Sequence, residues 1–179
     1  MSYTLISGEI IPAVTGGVFA YEQVFTTSDS LQTSPAYILA SYIIAEAIGS
    51  MTDPVDDDDW PLYVSYMPDS SDIKTNCGCV YDTSGVKDGR LMEGPVTQFF
   101  GIQLKIRCSS PINGYAKAEA IAIALDAVVN DTVTIDSVVY KIKDVGRTSP
   151  VISLGVEEGT KNRRLFTVNF IVTLKRVVS

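Results

Sequence analysis

Apolar and polar residues alternate strictly along Ile102-Gln103-Leu104-Lys105-Ile106-Arg107-Cys108, which predicts a strand with one buried face. The period then changes. Tyr115, Ala118, Ile121, Leu125 and Val128 recur at three and four, so residues 113–130 read as an amphipathic helix, with Pro111 and Asn113 before it and Asn130-Asp131 after it. The last third returns to alternation. Val133–Ile135 and Val138–Lys143 flank Asp136-Ser137, a two-residue turn without the usual glycine. Phe166, Val168, Phe170, Val172 and Leu174 alternate with Thr167, Asn169 and Thr173 along a long final strand. Residues 146–164, with Pro150, Gly155 and Gly159, read as the loop before it.

The first half begins loosely. Short extended pieces, Glu9-Ile10-Ile11 and Gly17–Phe25, are broken by Pro12 and Gly16-Gly17 and end in the Thr/Ser/Asp-rich stretch Thr26–Ser34. Residues 1–33 therefore read as an extended arm or hairpin, either an ordinary edge strand with its loop or an arm that docks on a neighbouring subunit. Ser34-Pro35 opens a helix, since serine is a favoured N-cap and the first helical turn has no need of the donor that proline lacks. Leu39, Tyr42, Ile43 and Ile48 put apolar side chains on nearly every face of Tyr37–Ile48, as in a helix buried on more than one side, and Gly49 is its expected C-cap. Leu62–Met67 and Lys74–Tyr81 read as strands, the second followed by a glycine-rich loop, Asp82–Pro95. Strands in runs separated by isolated helices predict an α+β fold, a mostly antiparallel sheet with two main helices on one face, in a single domain over residues 34–179.

A chain of 179 residues is long enough for one well-buried core and short for two. Its 46% hydrophobic and 20% charged content is that of a globular protein. A net charge of −7 argues against general nucleic-acid binding, which requires lysine and arginine to neutralise phosphates. No basic segment followed by an apolar run opens the chain, so no secretory signal is expected. The longest apolar stretch, Pro35–Ile48, is too short to span a bilayer, and no membrane partner is expected.

The absence of histidine changes the picture most. It removes Ser-His-Asp and Cys-His nucleophile activation, histidine general bases and most catalytic zinc sites. Three cysteines, Cys77, Cys79 and Cys108, are an odd number, and one residue between the first two is not zinc-knuckle spacing. The run Asp56-Asp57-Asp58-Asp59 lacks the alternating ligands, central glycine and distal glutamate of an EF-hand loop and reads as a solvated loop. The expectation is therefore no catalytic residues, no metal and no cofactor. The competing enzyme reading is a small carboxylate- or metal-dependent one, with acids drawn from Asp56–Asp59, Glu93, Glu157 and Glu158. A third reading is a ligand-binding module with Tyr37–Ile48 along its pocket.

The segment from Val80 through Asp82-Thr83-Ser84-Gly85-Val86-Lys87-Asp88-Gly89-Arg90-Leu91-Met92, then Gly101–Arg107, then Gly114-Tyr115-Ala116-Lys117-Ala118, resembles the minor capsid and tail terminator proteins of long-tailed bacteriophages. In that family a glycine-arginine loop precedes a strand ending in arginine, and a tyrosine-containing helix follows. The short hairpin, the stretch Pro150–Gly155 and the arginine-flanked final strand Arg163–Leu174 are similar to the same family, so the likeness runs over roughly residues 35–178. The resemblance implies a virion structural protein, assembled in the bacterial cytoplasm, that closes a hexameric ring on the tail tube, stops its polymerisation and joins it to the head connector. Implied partners are further copies of the chain, the tail tube protein, a head-completion or connector protein, and sheath or tail-completion proteins, with DNA passing through the lumen unbound. A head-completion, neck or tail-completion protein would carry the same features. A head-to-tail ring is oriented by separated patches of opposite charge, for which Lys87, Arg90, Arg163 and Arg164 on one side and Asp56, Asp57, Asp58 and Asp59 on the other are the candidates.

Overall fold

The computed structural model describes residues 2–6, 9–13, 31–55, 60–68, 75–87, 98–160 and 162–177. The chain divides into two compact units, residues 1–30 and 31–179. In the first, β1 (Ser2–Ile6) pairs antiparallel with β2 (Glu9–Ala13). The Gly17–Phe25 piece lies outside the described residues.

The second unit is α+β: a mostly antiparallel seven-stranded sheet and two helices. Helix α1 (Pro35–Ala45) starts as expected, with the Ser34 hydroxyl accepting from the Tyr37 amide and Asp82 accepting from the Ala36 amide at 2.9 Å. It stops before the expected end. Ala47 and Gly49 both take left-handed φ, of 49° and 62°, and Ile48–Ser50 turns the chain back. Gly49 is thus not a C-cap; a Cβ there would lie 2.5 Å from Ile121, so it is the point where this turn meets the second helix.

Strand β3 (Leu62–Val64) is shorter than predicted and runs parallel to β4 (Cys77–Lys87). β4 extends through Asp82–Lys87, where the sequence read as a loop, because it pairs with β5 (Gln98–Cys108) across a register shift between Thr83 and Val86. Helix α2 (Pro111–Asp126) begins earlier than the periodicity showed: Ser110 caps it by accepting from the Asn113 amide, and Pro111 occupies its first turn. Its expected last residues, Val129-Asn130, instead open β6 (Val129–Ile135). β6 turns through Asp136-Ser137 into β7 (Val138–Arg147); both turn residues have positive φ, 47° and 67°, the mirror-image turn that a hairpin's twist favours.

β8 (Ile152–Val156) lies within the stretch read as a loop, and β9 (Arg164–Val177) is the long last strand. The order is β3-β4-β5-β9-β7-β6, with β8 pairing β9. β7 and β8 share one edge of β9: Arg147 sits opposite Phe170 and Ile152 opposite Thr167. Between them the Ser149 hydroxyl accepts from the Asn169 amide at 3.1 Å, replacing a ladder bond across the Pro150 interruption. Ile102, Leu104 and Ile106 of β5 join Val168, Phe170 and Val172 of β9, together with Ile38, Leu39 and Ile43 of α1 and Ile121 and Leu125 of α2, in one core.

Among the described residues that core lies within residues 31–179, and a chain beginning at Leu31 is expected to melt cooperatively within a few degrees of the full-length protein. A loss of cooperativity in calorimetry would show that residues 1–30 complete the core.

Charged side chains also tie helices to strands. Arg147 of β7 grips Glu119 of α2 with two hydrogen bonds, 2.9 and 2.6 Å, and the Tyr42 hydroxyl of α1 donates to Asp131 of β6 at 2.7 Å. The Arg147 hydrogen bond holds the Glu119 carboxyl below its ordinary value, and the Tyr42 hydrogen bond does the same for Asp131. Depressed folded-state values give stability that is present above the unfolded values and is lost as pH falls through the folded ones. The thermal midpoint should therefore decline below the ordinary carboxylate range, less steeply in a Glu119→Gln, Asp131→Asn variant. Identical pH profiles would show that these carboxyls contribute nothing.

Candidate functional site

β5 turns Ile102, Leu104 and Ile106 toward the helices, so the residues between them, Gln103, Lys105 and Arg107, face the other side of the sheet. Arg107 is fully buried there, beside Cys77 on β4 and Leu165 on β9. Its Nη1 donates to the Pro68 carbonyl at 2.9 Å, so the segment that follows β3 is bonded to this face. The same nitrogen lies 3.8 Å from Glu157 Oε1, and Glu157 Oε2 lies 3.8 Å from Arg163 Nη1. One carboxylate between two guanidinium groups thus ties the end of β8 to the start of β9 and both to the middle of the sheet.

Burial pushes the Cys77 thiol up to about 11, outweighing the downward pull of Arg107. Cys79 is raised by burial as well. Thiols held protonated are poor nucleophiles and poor metal ligands. Farther along the face Lys105 lies over the Tyr81 ring at 5.0 Å, and Gln103 donates to Asn169 at 3.2 Å. Glu157, one of the acids named for carboxylate chemistry, is committed to Arg107 and Arg163, and no group of three metal-ligating side chains occurs among the described residues.

The residues named as interface candidates fall in different places. Arg163 is bound to Glu157, and Arg164 opens β9 opposite Cys108 and Val156. Lys87 ends β4 opposite Gln98, whereas Arg107 pairs with the other end of that strand, at Cys77. The eleven residues of β4 put roughly 33 Å between the two ends at the usual rise of a strand. Lys87 and the two arginines therefore belong to separate regions. Arg90 and Asp56–Asp59 lie outside the described residues.

One feature was not picked out from sequence, and a second only in part. The first is β8, all of it exposed, with Ile152, Leu154 and Val156 at 43%, 49% and 45% of full exposure. Among the described residues β8 pairs only with β9, and Val151–Val156 contains no charged residue. The signal was present in Ile-Ser-Leu-Gly-Val, whose alternation was masked by Pro150, Gly155 and Gly159. The second is a cleft of about 280 Å³ between α1 and β3, bordered by Tyr37, Ser41, Ile44, Asp53, Tyr63 and Val64. Its helix wall falls on Tyr37–Ile48, the segment set along a pocket in the ligand-binding reading; the β3 wall is set by the packing of two distant elements, which periodicity does not reveal.

No family model matches the chain, and no curated protein matches it. One solved structure aligns with 80% of this chain and 92% of its own length, at 12% identity and a TM-score of 0.39, an overlap too slight to support any argument. No helix among the described residues is long and apolar enough to cross a membrane.

Proposed function

We propose that the protein is a ring-forming structural subunit of a tailed-bacteriophage virion, a tail terminator that caps the tail tube and receives the head connector. The observation that carries this reading is β8, an uncharged edge strand with three large apolar side chains exposed. A bare apolar edge is an association site unless something covers it, and a subunit that works inside an assembly has a neighbour to cover it. The sequence resemblance supplies the kind of assembly. Its partners are further copies of the chain, the tail tube protein and a head-completion or connector protein; DNA passes through the lumen without specific contacts. The role consists of binding and not of turnover. The alternative within the same class is a head-completion or neck protein, one layer nearer the capsid.

Gold-labelled antibody on virions of the phage that encodes the chain tests this reading. Label at the head-tail junction that remains on detached tails is the expected result. Label that leaves with the heads selects the head-completion role, and unlabelled particles, intact and disrupted, overturn the structural reading.

A further inference from the structure

We propose that β8 of one copy seats in the cleft between α1 and β3 of a second copy, so that successive copies join edge to edge around the ring. The inference rests on the ring reading and specifies which surfaces meet.

Three observations carry it. The cleft and β8 lie at opposite edges of one sheet: at this level the strands run β3-β4-β5-β9-β8. Four inter-strand spacings separate them, roughly 19 Å. A chain whose complementary surfaces sit on opposite edges makes a heterologous contact, the kind that closes a ring by rotation. Size also permits the contact: the register shift at Leu154 turns Ile152, opposite Thr167, and Val156, opposite Arg164, to different faces of the sheet, so no more than two of the three apolar side chains share a face. Among the described residues no other strand exposes three large apolar side chains, and a dry cavity of about 150 Å³ is enough to take up benzene. The 280 Å³ cleft therefore has room for more than one aliphatic side chain.

Charge sets the orientation. Among the described residues, 35–55 and 60–64 on the cleft side contain Glu46 and Asp53 and no lysine or arginine. Among the described residues, the turn after β8 and the start of β9 carry Arg163 and Arg164 against Glu157 and Glu158, and the buried Arg107 beneath adds a further positive charge. A knob of slight net positive charge meeting a cleft on an acidic side is favoured over knob against knob or cleft against cleft.

Cysteines placed at Leu154 and Ser41 test the contact with a short bismaleimide. The native cysteines are buried, so the reagent reads the introduced pair. The full chain is treated at high concentration in solution, and virions carrying the double variant are treated separately. The inference predicts a ladder of covalent multimers for L154C/S41C in at least one setting, and none for either single variant. Leu154→Asp and Ser41→Trp should each weaken association by about tenfold or more, the value of one buried leucine side chain, with unchanged circular dichroism. No ladder in either setting while the chain is present in virions overturns the inference and leaves the ring reading standing. Equal ladders from L154C alone, a knob-to-knob contact, also overturn it. Absence of the chain from virions overturns the ring reading instead, and the edge-to-edge contact is then decided by the ladder of the purified chain.

Discussion

Arg107→Ala is expected to destabilise the folded body by about 3–5 kcal/mol, the usual cost of removing one partner from a buried ion pair. The guanidinium is fully buried, donates to Pro68 O at 2.9 Å and lies 3.8 Å from Glu157. Alanine leaves a void in the middle of the sheet's far face, a carbonyl without its donor and a carboxylate, Glu157, that has lost one of its two arginines. For a body of residues 31–179 the thermal midpoint should fall by about 6–20 °C. Replacing both partners is expected to cost less than replacing one. Arg107→Met with Glu157→Gln removes the charge and its counter-charge together while filling most of the volume. A double-mutant cycle by chemical denaturation measures the difference. Additive losses would mean that Arg107 and Glu157 do not act as a pair. Because Pro68 follows β3 and Glu157 follows β8, the same side chain links the two edges assigned to neighbouring copies. The Arg107 variants should therefore also assemble poorly where they still fold.

Gly101→Val is the second change with a large expected effect, about 1–3 kcal/mol of overpacking. Gly101 is buried in β5 opposite Thr83, just where the β4 register shifts. A Cβ there would run into the Ser84 carbonyl oxygen and lie 2.5 Å from Thr83 Oγ1. Gly85 is placed reciprocally, its missing Cβ against the Phe99 carbonyl. The obstruction is backbone on both sides, so a rotamer change cannot relieve it and the two strands must separate. Gly146→Ala is the control, since its Cβ would find nothing nearer than 3.9 Å and glycine in a strand interior gains by becoming alanine. A Gly101→Val protein as stable as Gly146→Ala would refute the close approach of β4 and β5.

Most of the fold was legible in the sequence because each main element has one buried face. β5 and β9 alternate without interruption, and their inward residues are the core. The Ser34-Pro35 start was legible too, because an N-cap is a local chemical feature. Boundaries failed where a tertiary partner decided them. β4 runs on through polar Asp82-Thr83-Ser84 because β5 is there to pair with it, and α2 gives up Val129-Asn130 because β7 offers a ladder. β8 was missed because Pro150 and Gly155, strong loop signals, here mark the two irregularities that let one edge of β9 hold two consecutive strands.

The candidate site was less legible still. Arg163 and Arg164 were singled out as surface charges, yet Arg163 is occupied within its own chain by Glu157. Arg107 read as one polar position of an alternating strand, and its burial depends on the crossover from β3 and on the turn after β8, neither of which is adjacent in sequence. Burial of a charge is a property of what covers it, and no local pattern encodes the cover.

As the proposed terminator this chain would end the growth of a tail tube, and tube length reads that role out. Tubes assembled from the phage's tail tube protein are measured by electron microscopy with and without the purified chain. The account predicts that adding the chain caps the tubes and holds them at a bounded length, and that the Leu154→Asp variant caps poorly. Tubes of the same unbounded lengths with and without the wild-type chain would contradict it.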